Sequence, residues 1–146
     1  MEKRIVDEEI ALIPYYPNYE VAFQWYQDPE LCRQVDNIDH VYTMETLKSM
    51  YFYLSTHGDC YYIEYRGNLV GDVALKNDGE IAIVVCREYQ NRHIGRRCIK
   101  NMIELAKEKG MSRVKAEIYP FNKQSLHTFL TLGFRHFDNN RYIYDL

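Results

Sequence analysis

Apolar runs fill the middle of the chain. Residues 60–65, 69–75 and 80–86 are each rich in β-branched and aromatic side chains, a composition typical of strands. Arg66-Gly67-Asn68 and Asn77-Asp78-Gly79 separate these runs, and turns of this kind connect hairpins. The pattern predicts an antiparallel meander of three strands.

Four other segments have apolar residues at helical spacing. They are bounded by Pro17-Asn18 and Asp28-Pro29, by Thr43 and Gly58, by Arg87 and Gly110, and by Asn122 and Gly133. Thr43 and Asn122 are residue types that cap helix N-termini, and glycine often follows a helix C-terminus. The pattern therefore predicts four helices.

The remaining segments are shorter. Residues 4–13 and 113–119 have the composition of strands, and two short strands flank Asn139-Asn140. Residues 30–42 show no clean period and are predicted to form a loop with at most one helical turn. Together the segments indicate a mixed α/β fold, and the length of 146 residues suits one domain spanning residues 1–146.

Charge and composition restrict the function. The net charge of −3 argues against general binding to nucleic acid, which needs a basic excess. No apolar run approaches the roughly 18–20 residues of a membrane span, and the acidic N-terminus lacks the layout of a signal peptide, so we expect a cytoplasmic protein. The four cysteines form no C-x-x-C pair, so we expect reduced thiols and no metal site.

The most informative segment is residues 84–97, in which a predicted strand passes through a loop into the longest predicted helix. Such a junction directs free backbone N–H groups and the positive end of the helix dipole toward one point, which favours an anion. Gly95 permits close approach of a ligand, and Asn91 tolerates left-handed backbone conformations. Arg92, Arg96 and Arg97 add positive charge suited to a phosphorylated ligand.

Two motifs resemble the GNAT superfamily of acetyl-CoA-dependent N-acetyltransferases. The family's pyrophosphate loop has glutamine or arginine first, glycine fourth and glycine or alanine sixth; Gln90 and Gly95 match its ends, whereas His93 replaces the central glycine. The second motif places asparagine, serine, an aromatic residue and Leu-Gly-Phe along a helix, and residues 122–134 match it from Asn122 through Ser125 and Phe129. The order of predicted elements is also that of the family, over essentially the whole chain.

The resemblance implies a mostly antiparallel sheet of about six to seven strands, with about four helices and one splayed parallel pair, residues 80–86 and 113–119. The pantetheine arm of acetyl-CoA would lie in the opening against the backbone of Val84 and Val85, with Asn122 on its other side and Phe129 nearby. Its pyrophosphate would be held by the amides of seven successive residues: Gln90, Asn91, Arg92, His93, Ile94, Gly95 and Arg96.

The implied reaction is transfer of the acetyl group to a primary amine, which must first lose a proton because its pKa is near 10.4. Glu80 and Glu117 match positions at which relatives carry the base, although either could be an ordinary solvated or ion-paired glutamate. The Val85 amide is a candidate oxyanion donor. Where many members have a tyrosine as general acid this chain has Phe129, so water or Tyr119 would protonate the thiolate.

Several readings stay open. Because Phe129 cannot donate a proton, the chain could instead be a non-catalytic acyl-CoA-binding or sensing module of the same fold. A nucleic-acid-binding domain that uses Arg87, Arg92, Arg96 and Arg97 is a third reading. Asp28, Glu30, Asp36 and Asp39 form either a solvated acidic loop or a surface for a cationic small-molecule acceptor; a protein amine is the other acceptor class. The C-terminal hairpin is compatible with a monomer or a homodimer.

Overall fold

The computed structural model describes residues 1–146 and contains eight strands and five α-helices. The strands are β1 (Arg4–Ile5), β2 (Ile10–Pro14), β3 (Gly58–Tyr65), β4 (Asn68–Lys76), β5 (Ile81–Val85), β6 (Arg113–Glu117), β7 (Arg135–Asp138) and β8 (Arg141–Asp145). The helices are α1 (Tyr19–Trp25), α2 (Pro29–Asp36), α3 (Met44–Thr56), α4 (Ile94–Glu108) and α5 (Lys123–Thr131). The mixed α/β class is confirmed, and no helix has the length and apolar character needed to cross a membrane.

Strands β1 to β5 form one antiparallel sheet in sequence order, which confirms the predicted meander. The turn between β3 and β4 contains Arg66 and Gly67 at φ of 49° and 84°, and the turn between β4 and β5 contains Gly79 at φ of 92°. Tight turns need such left-handed conformations, which glycine adopts without strain.

A second sheet has the order β6-β8-β7. It meets the first sheet at a single parallel bridge between Glu80 and Lys115, where the Lys115 N–H donates to the Gly79 carbonyl at 3.0 Å. Beyond this bridge β5 and β6 form no further pairs, so the two strands diverge toward their C-terminal ends. This is the splayed parallel pair that the resemblance implied.

Apolar side chains on the two faces of the first sheet form two cores. Helix α4 packs on β4 and β5 and contributes Ile94, Ile99 and Met102 to a core of 21 buried residues. Helices α1 and α3 cover the opposite face, where Trp25 and Leu47 belong to a core of 13 buried residues. Helices therefore cover both faces of the first sheet, and α4 also contacts β6.

Two sequence predictions were wrong in detail. The strand predicted over residues 4–13 is divided into β1 and β2 because the Asp7 carboxylate accepts hydrogen bonds from the Glu9 and Ile10 amides, which turns the chain. The loop predicted over residues 30–42 contains α2. Asp28-Pro29 was interpreted as a helix end, but Asp28 caps the N-terminus of α2 and the proline occupies its first turn.

Candidate active site

Six consecutive backbone N–H groups at the start of α4, those of residues 91–96, have no hydrogen-bond acceptor in the protein. The Gln90 N–H is not part of this set, since it donates to the Arg87 carbonyl at 3.2 Å. Helices α2, α3 and α5 are each capped by a side chain, whereas α4 has neither a capping hydrogen bond nor an acidic residue in its first turn. Its positive end is therefore free to attract an anion.

The loop that precedes α4 owes its shape to three residues. The Gln90 side chain donates to the Val85 carbonyl at 2.9 Å and ties the loop to the end of β5. Asn91 and His93 adopt φ of 65° and 60°. His93 thus holds the left-handed conformation at the position where the family motif has glycine, and its side chain is exposed.

The arginines near this loop differ in their partners. The Arg96 Nε is buried and has no hydrogen-bond partner, and Arg96 makes no ion pair. Arg97, by contrast, lies 2.9 Å from Asp7 and 2.9 Å from Glu9. The prediction that Arg97 would serve a phosphorylated ligand is therefore wrong, because acids of the N-terminal segment neutralise it.

Arg87 is neutralised in the same way, by Asp28 and Glu30 of the α2 N-terminus. Arg92 stacks over the Tyr89 ring at 5.1 Å and is exposed. Two of the four arginines named for the nucleic-acid reading are thus paired with carboxylates. That reading loses the continuous basic surface that it needs.

A cavity of about 520 Å³ extends from the free amides, and Arg96 and Gly95 belong to its wall. Helix α5 supplies the facing wall, including Lys123 and His127. Both lie within the motif of residues 122–134, but the sequence analysis did not predict them as residues of the ligand site. Asn122 itself caps α5 through the Ser125 N–H and donates to the Gln34 carbonyl, 3.3 Å in each case. No carboxylate lines this first cavity.

The backbone of β5 faces two ways. The Cys86 N–H donates to the Val70 carbonyl and the Lys76 N–H to the Glu80 carbonyl, so even-numbered residues point their backbone groups at β4. Val84 is therefore engaged with Asp72, and its prediction as a backbone partner of the pantetheine arm is wrong. Ile83 and Val85 direct their N–H and C=O groups toward the opening instead.

A second cavity, of about 270 Å³, continues from the first and shares Ile83, Val84, Asn122 and Ser125 with it. Its lining includes both predicted bases, Glu80 and Glu117, at the two diverging strands. The Glu80 carboxylate is 3.5 Å from the Lys76 ammonium and 29% exposed. Glu117 is exposed and forms no ion pair.

The same cavity contains a carboxylate that sequence reasoning missed. Asp72, in the middle of β4, is 3% exposed and accepts hydrogen bonds from the Tyr26 and Tyr51 hydroxyls at 2.7 and 2.8 Å. Burial raises its pKa to about 6, against the lowering effect of the two hydroxyls. The available signal was a single aspartate inside the apolar run of residues 69–75, where charged residues are rare unless paired.

Two aromatic residues complete the second cavity. Tyr119 stacks on Phe121 with ring centroids 5.5 Å apart, and burial together with the charges of Glu117 and Asp36 raises its pKa. It is therefore protonated at neutral pH and able to donate. Phe129 is 2% exposed and packs edge-on against Phe134 at 4.9 Å; it lines this cavity and not the one at the free amides.

Replacing Phe129 with tyrosine is expected to change the affinity for acetyl-CoA by no more than about threefold, because the added hydroxyl lies away from the charged end of the ligand. Isothermal titration of the wild type and of Phe129→Tyr checks this. A large loss of binding would mean that α5 does not have the assigned position beside the ligand.

The four acidic residues predicted to form one surface have different partners in the structure. Asp28 and Glu30 pair with Arg87, and the exposed Asp39 contacts His40. Asp36 alone of the four lines the second cavity, and it accepts a hydrogen bond from the Tyr42 hydroxyl at 2.9 Å.

Comparison with known proteins agrees with this geometry. Residues 19–134 match the family described as Acetyltransferase (GNAT) family. An acetyltransferase (GNAT family) from Bacillus anthracis has a TM-score of 0.78 at 16% identity, with 95% of both chains covered. An acetyl transferase from Salmonella typhimurium that modifies the N-terminal serine of a 50S ribosomal subunit protein has a TM-score of 0.77 at 11% identity, with 99% of both chains covered.

A third similar structure is a microcin self-immunity acetyltransferase in complex with acetyl-CoA and AMP. Its TM-score is 0.74 at 16% identity, with 97% of this chain and 94% of that chain covered. At such identities the likeness to these three structures shows a shared fold.

Proposed function

This chain belongs to the GNAT family of acetyltransferases, and on that premise we propose that it is a single-domain enzyme that transfers an acetyl group from acetyl-CoA to a primary amine. The observation that carries the proposal is the group of free N–H donors from Asn91 to Arg96 at an uncapped helix. A pyrophosphate supplies the negative charge and the acceptor oxygens that these donors lack.

The first cavity supports the assignment of acetyl-CoA as cosubstrate. Arg96 has a buried nitrogen without a partner, and Gly95 presents open space, since an added Cβ would meet no atom within 4 Å. The relative from the microcin system was solved with acetyl-CoA. In this chain the pantetheine arm would use the backbone groups of Ile83, because the Val85 carbonyl already accepts from Gln90 and the Val85 N–H faces the reacting carbonyl. Asn122 lies across the opening.

The acceptor amine arrives as an ammonium ion and needs a proton acceptor before it can attack. Glu80 and Glu117 line the same cavity from the two diverging strands, so either carboxylate can take the proton directly or through a water. Lys76 lies beside Glu80, whereas Glu117 forms no ion pair and faces Arg141 across the β6–β8 ladder. The free amine then attacks the thioester carbonyl in a ternary complex.

The tetrahedral intermediate carries a negative oxygen. The Val85 N–H faces the opening and is the proposed donor to this oxygen, a role that needs only a fixed backbone group. Collapse of the intermediate breaks the carbon–sulfur bond and releases the CoA thiolate. Tyr119, which stays protonated at neutral pH, or a water then protonates the sulfur.

The second candidate is a module that binds acyl-CoA without turnover, and Phe129 favours it because phenylalanine occupies the position of the usual acid. Incubation with acetyl-CoA and a broad panel of primary amines, with free thiol as the readout, decides between the two. Turnover with any amine excludes the inert module. Binding of acetyl-CoA by calorimetry without thiol release from any amine would establish it.

We expect substitution of the proton acceptor to lower kcat by about 100-fold or more, in line with general base catalysis. Glu80→Gln and Glu117→Gln are each compared with wild type at saturating amine, and thermal melting serves as the folding control. The variant that loses activity identifies the base, and a pH profile that loses its acidic limb in that variant supports the role. Equal activity of both variants with wild type would contradict the assignment of a glutamate base.

A further inference from the structure

The two joined cavities differ in charge. The first is lined by Arg96 and Lys123 together with two histidines, and by no carboxylate. The second is lined by the carboxylates Asp36, Asp72, Glu80 and Glu117, and by no lysine, arginine or histidine. The first cavity therefore favours an anionic ligand and the second cavity a cationic one, because each wall attracts the opposite charge.

Asp72 is the most buried of the four carboxylates. Its Oδ2 accepts from both the Tyr26 and the Tyr51 hydroxyl, whereas its Oδ1 has no hydrogen-bond partner in the protein. No lysine, arginine or histidine contacts it. A buried carboxylate without a counter-charge destabilises the fold unless a ligand supplies one.

We propose that Asp72 anchors a second cationic group of the acceptor, so that the preferred acceptor is a slender amine with two positive charges, of the small α,ω-diamine class. The inference rests on the proposed acetyl transfer, whose reacting amine would lie nearer the thioester. Tyr26 and Tyr42, whose ring centroids are 4.6 Å apart, belong to the same wall.

The position of Asp72 favours a small-molecule acceptor over a side chain of another protein. The carboxylate is 3% exposed and belongs to a cavity of about 270 Å³ between β4, β5 and the segment around α2. A narrow aliphatic chain reaches such a depth, and 13 of the 20 lining residues are hydrophobic, which suits methylene groups.

The test compares 1,4-diaminobutane with n-pentylamine, in which a methyl group replaces the second ammonium at equal length. We expect wild-type kcat/KM for the diamine to exceed that for the monoamine by about tenfold or more, the worth of one charge-assisted hydrogen bond. Equal values for the two amines would overturn the proposal.

The matched variant is Asp72→Asn, whose amide oxygen can still accept from both tyrosine hydroxyls. It is expected to lower kcat/KM for the diamine about tenfold or more relative to kcat/KM for n-pentylamine, so that the preference disappears. Asp39→Asn makes the same change of atoms at an exposed loop residue and is expected to keep the preference. Thermal melting confirms that both variants fold.

Two further outcomes are decisive. An equal fall in kcat for both amines in Asp72→Asn would mean that Asp72 moves a proton, and anchoring would be rejected. If no amine releases thiol, titration of 1,4-diaminobutane into the protein saturated with CoA replaces the assay: binding that Asp72→Asn abolishes supports the anchor, and no binding by wild type overturns it. Failure of thiol release alone counts against acetyl transfer and not against the anchor.

Discussion

Replacing Gly95 with glutamate is expected to weaken acetyl-CoA binding by about 100-fold or more without unfolding the protein. Gly95 lies in the first turn of α4, where an added Cβ meets no atom within 4 Å, and it lines the first cavity. A carboxylate there occupies the space of the pyrophosphate and repels it. Loss of two or three hydrogen bonds to a charged group, each worth about 1.5–3 kcal/mol, accounts for the magnitude.

Two matched variants separate charge from size. Gly95→Gln has the same shape without the charge and is expected to bind with intermediate affinity, whereas Gly95→Ala is expected to bind within about tenfold of wild type because one methyl group is small. Calorimetry with acetyl-CoA gives the affinities, and thermal melting gives the stabilities. Unchanged affinity in Gly95→Glu would show that the ligand does not use the free amides of residues 91–96.

The loop at the start of α4 could be predicted from sequence because its chemistry is local. Gln90, Asn91 and Gly95 are neighbours in the chain, and a strand followed by an amphipathic helix fixes where the free amides point. The divergence of β5 and β6 entered through the family resemblance, since no pattern in either strand reports that pairing stops after one bridge.

Features that depend on long-range pairing could not be predicted in this way. Asp72 matters because of Tyr26 and Tyr51, which are 46 and 21 residues away in sequence. Whether Val84 or Ile83 offers its backbone to the pantetheine arm depends on which residues of β5 pair with β4. That pairing is set by the strand register. Arg97 was assigned to the ligand because the sequence does not reveal that the chain brings Asp7 and Glu9 beside it.

The titratable groups around Asp72 do not change charge in the pH range in which Asp72 does, so the effect of Asp72 on the free energy of unfolding can be measured by itself. Tyr26, Tyr42, Tyr51, Tyr62 and Cys60 all interact with it, and burial raises the pKa of each. They are neutral acids that stay protonated between pH 4 and pH 8, so Asp72 alone among the groups of this cluster changes charge in that range.

We expect Asp72→Asn to be more stable than wild type at pH 8 by about 3 kcal/mol, an advantage that disappears near pH 4. Asp72 has a pKa of about 6 in the folded protein, whereas an ordinary aspartate has a pKa of 3.8. Well below pH 3.8 both states hold the proton. As the pH rises, the unfolded chain releases it first, and the folded protein loses stability until about pH 6. The asparagine variant has no such proton.

Urea unfolding at a series of pH values measures the difference, and Asp39→Asn, whose carboxylate has a lowered pKa, is expected to show no gain with rising pH. A constant difference from pH 4 to pH 8 would mean that the pKa of Asp72 is not raised in the folded protein, as a cationic partner would cause. A diamine that restores wild-type stability at pH 8 would link this buried charge to the acceptor.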